Sequence, residues 1–107
     1  MQQINAPQLQ QWLTDNSRVA PLLLDVRESW EYQIAHIAGA QLMPMHTVPA
    51  KIDQLDAHAD IVAICHHGMR SMQIARFLEH AGFDHIYNLQ GGVDAWAQSV
   101  DPNMPTY

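Results

Sequence analysis

The sequence predicts an α/β fold, a parallel sheet with helices on both faces. Short apolar runs alternate with stretches of helical periodicity along all 107 residues. The runs at 21–26 and 60–64 are almost continuously apolar, as in strands that are buried on both faces. Residues 69–80 carry a broad apolar stripe at helical spacing, and Gly82 follows where a C-terminal cap would stand. Short connections between such elements indicate parallel strands joined by helices.

The weaker elements fill the gaps between these three. We predict further helices at 6–13, 29–37, 47–55 and 93–97, and further strands at 40–43 and 85–89. Pro49 is tolerated because it falls in the first turn of its helix. The tail, residues 101–107, is too rich in proline for regular structure. A chain of this length supports one hydrophobic core, so we expect a single domain over 1–107.

The charge and composition exclude several classes of function. The formal net charge is −6, and only five Lys and Arg residues are scattered along the chain. Nucleic acids and anionic membranes both require clustered basic residues, so neither is expected as a partner. No apolar stretch approaches the ~20 residues of a membrane span. The first residues are neither basic nor apolar, unlike a signal peptide, and we therefore expect a cytoplasmic protein.

The stretch IVAICHHGMRS, residues 61–71, is the most informative part of the sequence. It places Cys65, the only cysteine, at the tip of a predicted strand and just before a predicted helix. Backbone N–H groups in such a turn can form a concave anion-binding nest, and the helix adds its positive end. Both features favour thiolate over thiol. Gly68 permits an unusual backbone angle, Arg70 adds a permanent charge near the mouth, and Ser71 would cap the helix or donate to a bound anion.

Three interpretations of this loop remain open from the residues alone. A buried cysteine is common in proteins, but it would not explain the composition of the loop. A metal site is disfavoured because Cys65, His66 and His67 are adjacent, whereas ligand pairs usually stand two to four residues apart. The interpretation that we favour is a sulfur nucleophile stabilised by the loop itself, with no metal and no other cofactor.

Four motifs in order resemble the rhodanese (thiosulfate sulfurtransferase) family in its single-domain form. They are LLLDVRESWEY at 22–32, AHIAGAQLMP at 35–44, CHHGMRS at 65–71 and LQGGVDAW at 89–96. Each motif is moderately specific, and their order and spacing together carry the resemblance. Ala35 departs from the glycine that is usual before the His-Ile pair, a change that we expect to affect backbone geometry and not chemistry.

The resemblance implies an enzyme that works through a persulfide on Cys65. The thiolate would attack the outer sulfur of thiosulfate, sulfite would leave, and an acceptor such as cyanide, a thiol or a protein would remove the carried sulfur. Arg70 would attract the anionic donor, and His66 and His67 would line the mouth and shape substrate choice. The substrate-binding loop would consist of His66, His67, Gly68, Met69, Arg70 and Ser71.

Two other functions remain as alternatives. Only four residues separate Cys65 from Arg70, whereas related phosphatases and arsenate reductases resemble one another in a loop with five, so the shorter loop favours sulfur over phosphate. The loop also lacks the pattern associated with mercaptopyruvate as a donor. The more serious alternative is a sulfur-relay or protein-interaction module that does not turn over small donors.

The remaining polar residues near the predicted site have structural interpretations. We expect Asp25 and Arg27, which follow the first buried strand, to belong to a structural network. Glu31 would pair with Arg27 across one helical turn. His36 is expected to be a hydrogen-bonded turn residue. The pair at 91–92, Gly-Gly, should let the last turn approach the cysteine loop closely.

Overall fold

The computed structural model describes all 107 residues and contains five strands and five helices. The strands are β1 (Gln2–Ile4), β2 (Leu22–Asp25), β3 (Gln41–Leu42), β4 (Ile61–Ile64) and β5 (Ile86–Leu89). The helices are α1 (Ala6–Thr14), α2 (Ser29–Ile34), α3 (Val48–Lys51), α4 (Met69–His80) and α5 (Gly92–Ser99). None of these helices has the length and apolar character needed to cross a membrane.

The strands form one parallel sheet in the order β1-β5-β4-β2-β3. The prediction of an α/β fold with a parallel sheet is therefore confirmed. All four residues of β4 are buried, which explains why this strand is continuously apolar. The buried apolar side chains form two clusters. Helices α1 and α5 contribute to one cluster, and helices α3 and α4 contribute to the other. The central strand thus has a hydrophobic core on each side.

Three sequence predictions about the elements were wrong. The edge strand β1 was missed because only Ile4 is buried, so the strand has no apolar run. The helix predicted over 47–55 is the short α3, flanked by 3₁₀ turns at Met45–Thr47 and Ile52–Gln54. The helical geometry is interrupted at Lys51, where φ is −112° and ψ is 11°.

The third error concerns the helix predicted over 29–37, which ends early, at Ile34. Ala35 adopts an extended conformation, with φ −166° and ψ 145°. Its carbonyl oxygen accepts a hydrogen bond of 2.7 Å from Nη2 of Arg27. The extended segment then leads to the buried Ile37.

The loop after β4 is held in place by the N-terminus of α5. The backbone N–H groups of Val93 and Asp94 donate to the carbonyl oxygens of Cys65 (2.9 Å) and His66 (3.1 Å). A Cβ atom on Gly92 would lie only 2.3 Å from the Cys65 carbonyl oxygen, so no larger residue fits there without a shift. The expected close approach of 91–92 to the cysteine loop is confirmed.

Candidate active site

Cys65 lies directly after β4, at the carboxyl edge of the sheet, and is 1% exposed. Its Sγ accepts a hydrogen bond of 3.0 Å from the backbone N–H of Gly68, and Oγ of Ser71 lies 3.3 Å away. Helix α4 begins at Met69, so the positive end of its dipole lies beside the sulfur. These contacts place hydrogen-bond donors and a positive dipole around the sulfur, an arrangement that favours a thiolate.

Gly68 is the residue that closes this loop. Its φ of 101° lies in the left-handed region, and it occupies the cap position before α4. A Cβ atom there would lie 3.2 Å from the backbone nitrogen of Gly91 and 3.3 Å from the carbonyl oxygen of Leu89. Both the backbone angle and the crowding therefore favour glycine at this position.

Ser71 does not cap the helix, contrary to one of the two roles expected for it. It lies within the first turn of α4 and is fully buried. Its hydroxyl contacts Oδ1 of Asn88 (2.5 Å) as well as Sγ of Cys65. Because a hydroxyl carries one proton, Ser71 can donate fully to only one of these two acceptors at a time. The sulfur therefore has one fixed donor, the Gly68 N–H, and one that can reorient.

Asn88 is a site residue that the sequence analysis missed. It lies on β5, is 1% exposed, and donates through Nδ2 to the carbonyl oxygen of Gly68 (3.2 Å) and to Oε1 of Gln3 (2.9 Å). It thereby ties the cysteine loop to both β5 and β1. A polar amide inside an otherwise apolar strand was the available signal, since a buried amide requires partners.

Arg70 is paired with Glu31, and the expectation that Glu31 would pair with Arg27 was wrong. The two terminal nitrogens of Arg70 donate to the two carboxylate oxygens of Glu31 at 2.7 and 2.8 Å. Hydrogen bonding to Arg70 lowers the pKa of Glu31 to about 2, and the same bonds raise the pKa of Arg70. The permanent charge expected from Arg70 at the mouth is present, but its carboxylate partner makes the pair electrically neutral.

Arg27 instead pairs with Asp25, and both side chains are fully buried. Nη2 of Arg27 lies 2.7 Å from Oδ2 of Asp25, while Nη1 donates to the hydroxyl of Tyr107 at 2.8 Å. This arrangement confirms the structural network expected for the two residues. His36 is also a turn residue as expected, with its ring 2.9 Å from the carbonyl oxygen of Tyr32.

The tail has no regular structure, as predicted, but it folds back onto the cysteine loop. The ring of Tyr107 stacks on His66 at 4.1 Å, and His66 stacks on His67 at 4.0 Å. Burial, and secondarily the charge of His67, lowers the pKa of His66, so His66 is neutral at pH 7. Tyr107 also donates to Oε1 of Glu31 at 2.9 Å. No pattern in the sequence indicated these contacts.

The surface around the loop is largely apolar. Met69 is 71% exposed and Trp30 is 60% exposed. A groove of about 430 Å³ lies beside Arg70. Its apolar lining comes from Val26, Met45, Pro49, Ile74 and Phe77, and its polar lining from Glu28, His46 and Gln73. No group of three metal-ligating side chains lies together in the structure. The site therefore consists of a sulfur, its donors, a neutral ion pair and apolar walls.

A family model described as "Rhodanese-like domain" matches residues 5–99 of this chain. The chain belongs to the rhodanese-like family. Among solved structures, a rhodanese-like domain protein from Staphylococcus aureus superposes with a TM-score of 0.85 at 27% identity, covering 100% of this chain and 99% of that one. The rhodanese-like fold of the chain is thus supported by both sequence and structure.

Curated relatives of this rhodanese-like chain include named sulfurtransferases. It is 32% identical over 85 residues to the thiosulfate sulfurtransferase GlpE of Actinobacillus pleuropneumoniae, covering 79% of each chain. It is 35% identical over 106 residues to the probable adenylyltransferase/sulfurtransferase MoeZ of Mycobacterium tuberculosis, covering 97% of this chain. The match spans only 26% of MoeZ, so MoeZ contains much that this chain does not match.

Proposed function

We propose that this chain is a sulfurtransferase that carries a sulfane sulfur as a persulfide on Cys65. The donor would be thiosulfate or a similar compound, and the acceptor a thiol, cyanide or a protein. The observation that carries the proposal is the position of Sγ, buried at the carboxyl edge of the sheet and hydrogen-bonded to the Gly68 N–H at 3.0 Å. The resemblance to relatives named as sulfurtransferases supports it.

The proposed reaction has two half-reactions. In the first, the Cys65 thiolate attacks the outer sulfur of thiosulfate; a new S–S bond forms, the old one breaks, and its electron pair leaves on sulfite. In the second, the acceptor attacks the outer sulfur of the persulfide and the electron pair returns to Cys65. The N–H of Gly68 and the end of α4 stabilise the negative sulfur in both states.

The remaining loop residues have supporting roles in this proposal. His66, His67 and Met69 border the approach to the sulfur and define which groups can reach it. Ser71 supplies the donor that can reorient as the sulfur gains or loses charge. Arg70 contributes through its ion pair with Glu31 and not as an unpaired cation. We further propose a cytoplasmic location, since a thiol that forms a persulfide must be kept reduced.

Steady-state kinetics with thiosulfate and cyanide test the enzyme assignment. We expect thiocyanate to form with ping-pong kinetics, because the sulfur is held covalently between the two half-reactions. A Cys65→Ala variant should lose the activity entirely. Thiocyanate formation that persists in this variant, or sequential kinetics in the wild type, would contradict the proposal.

A sulfur-relay module is the second candidate. The similarity to MoeZ over 97% of this chain and the exposed apolar side chains of Trp30 and Met69 favour it. A relay domain would accept sulfur from a persulfidated protein and fail to turn over thiosulfate. Offering both donors to the same preparation separates the two functions, and hydrolysis of an artificial phosphate ester would indicate a phosphatase instead.

A further inference from the structure

The ion pair between Arg70 and Glu31, at the mouth of the cysteine loop, carries no net charge. The side chain of Glu31 is 4% exposed, and both of its oxygens accept hydrogen bonds from Arg70. Since hydrogen bonding to Arg70 lowers the pKa of Glu31 to about 2, the carboxylate stays ionised at neutral pH. Two charge-assisted bonds in a bidentate arrangement also fix the guanidinium in place.

No other cationic side chain replaces Arg70 at the sulfur. Arg27 is buried against Asp25, and the hydroxyl of Tyr107 connects Arg27 to Glu31. The two ion pairs, Arg27 with Asp25 and Arg70 with Glu31, therefore form one network with no net charge. His66 is neutral at pH 7. His67, the other histidine of the loop, lies 3.9 Å from a carboxylate oxygen of Asp94. The loop therefore offers an incoming donor backbone N–H groups and apolar walls but no cation that lacks a carboxylate neighbour.

This arrangement has a consequence for donors of different charge. Thiosulfate carries two negative charges, whereas an organic persulfide carries at most one on its reacting sulfurs. An uncompensated arginine would favour the dianion, and a neutral pair removes that preference. The formal net charge of −6 adds repulsion that acts more strongly on the dianion.

We propose that Glu31 is a specificity-determining residue, which cancels the charge of Arg70 so that the site favours organic persulfides over thiosulfate. The inference rests on the proposed function and names its donor class. In the step, the Cys65 thiolate attacks the terminal sulfur of R–S–SH, and that sulfur keeps its proton in the resulting Cys65–S–SH. A new S–S bond forms, the S–S bond of the donor breaks, and its electron pair leaves on R–S⁻, with no external oxidant or reductant.

The test is the second-order rate constant for persulfide formation on Cys65, measured by rapid quenching and intact mass, without an acceptor. The probes are thiosulfate and 2-hydroxyethyl persulfide, and the readout is the ratio of their two rate constants. Glu31→Gln leaves the pair with one positive charge and should raise the thiosulfate-to-persulfide ratio by roughly ten-fold. Arg70→Gln leaves one negative charge and should lower it by a similar factor.

The double variant, Glu31→Gln with Arg70→Gln, restores a neutral pair. Its ratio should return toward the wild-type value although both side chains are changed, an outcome that a purely structural role would not produce. Asp84→Asn is the matched control, because it removes one exposed carboxylate just before β5, at the opposite edge of the sheet from Cys65. The control should leave the ratio unchanged.

Ionic strength provides a test that requires no variant. With a neutral pair and a negative protein, added salt should accelerate the thiosulfate reaction of the wild type more than the persulfide reaction. A thiosulfate rate that falls with salt would indicate an uncompensated cation and overturn the inference. An unchanged ratio in Glu31→Gln would also overturn it while leaving the proposed function intact. Failure of both donors to modify Cys65 would instead overturn the proposed function, and the inference with it.

Discussion

Ser71 controls how the sulfur of Cys65 is hydrogen-bonded when its charge changes. Its hydroxyl lies between Sγ at 3.3 Å and Oδ1 of Asn88 at 2.5 Å. With a neutral thiol, the hydroxyl proton is best placed on the short bond to Asn88. A thiolate is the stronger acceptor and competes for the same proton. The residue therefore contributes more to the charged sulfur than to the neutral one.

Replacing Ser71 by Ala should slow the reaction of Cys65 with iodoacetamide at neutral pH by about three- to ten-fold. The reason is the loss of a hydrogen bond of 3.3 Å to the sulfur, worth roughly 0.7–1.4 kcal/mol because the same hydroxyl also bonds Asn88. Ser99→Ala, at the exposed end of α5, is the control that removes a hydroxyl elsewhere. An alkylation rate equal to that of the wild type would show that Ser71 does not act on the thiolate.

Glu31 also makes the stability of the protein depend on pH. Its pKa is lowered to about 2 in the folded state, chiefly by hydrogen bonds from Arg70, from an ordinary value of 4.5. A lowered folded-state pKa means that the stabilisation is fully present above about pH 4.5 and is lost as pH falls toward 2. The contribution is on the order of 2 kcal/mol, since Arg70 is partly exposed and solvent screens the pair.

The measurement is the free energy of urea unfolding at a series of pH values from 6 down to 2.5. The wild type should lose stability more steeply below about pH 4.5 than Glu31→Gln, which has no proton to gain at this position. Curves for the two proteins that remain parallel through this range would show that the ion pair does not stabilise the fold.

The N-terminus of α5 packs against the cysteine loop so closely that no side chain fits on Gly92. A Cβ atom on Gly92 would lie 2.3 Å from the carbonyl oxygen of Cys65 and 2.4 Å from that of His66. Those carbonyls are also the acceptors for the N–H groups of Val93 and Asp94. The start of α5 therefore sets the position of the loop backbone.

Gly92→Ala should lower the free energy of unfolding by roughly 3 kcal/mol, because backbone atoms would have to move to remove the overlap. It should also slow persulfide formation, since the loop carbonyls would shift. Gly39→Ala is the matched control: it too has a positive φ, 85°, but a Cβ atom added there would meet nothing within 4 Å. We expect the control to lose only about 1 kcal/mol. Equal losses for both variants would mean that the close approach does not matter.

Among the helices and strands, some could be predicted well from the sequence and others poorly. Strand β4 and helix α4 were predictable because their burial imposes a continuous apolar run in one and a helical stripe in the other. Strand β1 was not, since an edge strand with two exposed glutamines carries no apolar pattern. The early end of α2 coincides with a hydrogen bond from Arg27 to Ala35, a contact that local periodicity does not encode.

At the scale of the whole molecule, the parallel sheet brings the site together from distant parts of the chain. Cys65 follows β4, Glu31 comes from α2, Asn88 from β5 and Tyr107 from the tail. The motif around Cys65 predicted where the sulfur lies, because a strand, a tight turn and a helix follow one another locally. The partners of Arg70 and of Ser71 are 39 and 17 residues away in sequence, so their pairing became visible only in the folded chain.

Intact mass measures directly whether Cys65 carries sulfur. Purified wild type and Cys65→Ala would each be incubated with thiosulfate and, separately, with 2-hydroxyethyl persulfide. The intact mass of each protein would then be measured before and after addition of cyanide. We predict that the wild type gains one sulfur atom with at least one donor and loses it to cyanide, while the variant stays at its starting mass. A wild type that gains no sulfur from either donor, or a variant that gains it equally, would show that Cys65 is not the sulfur carrier.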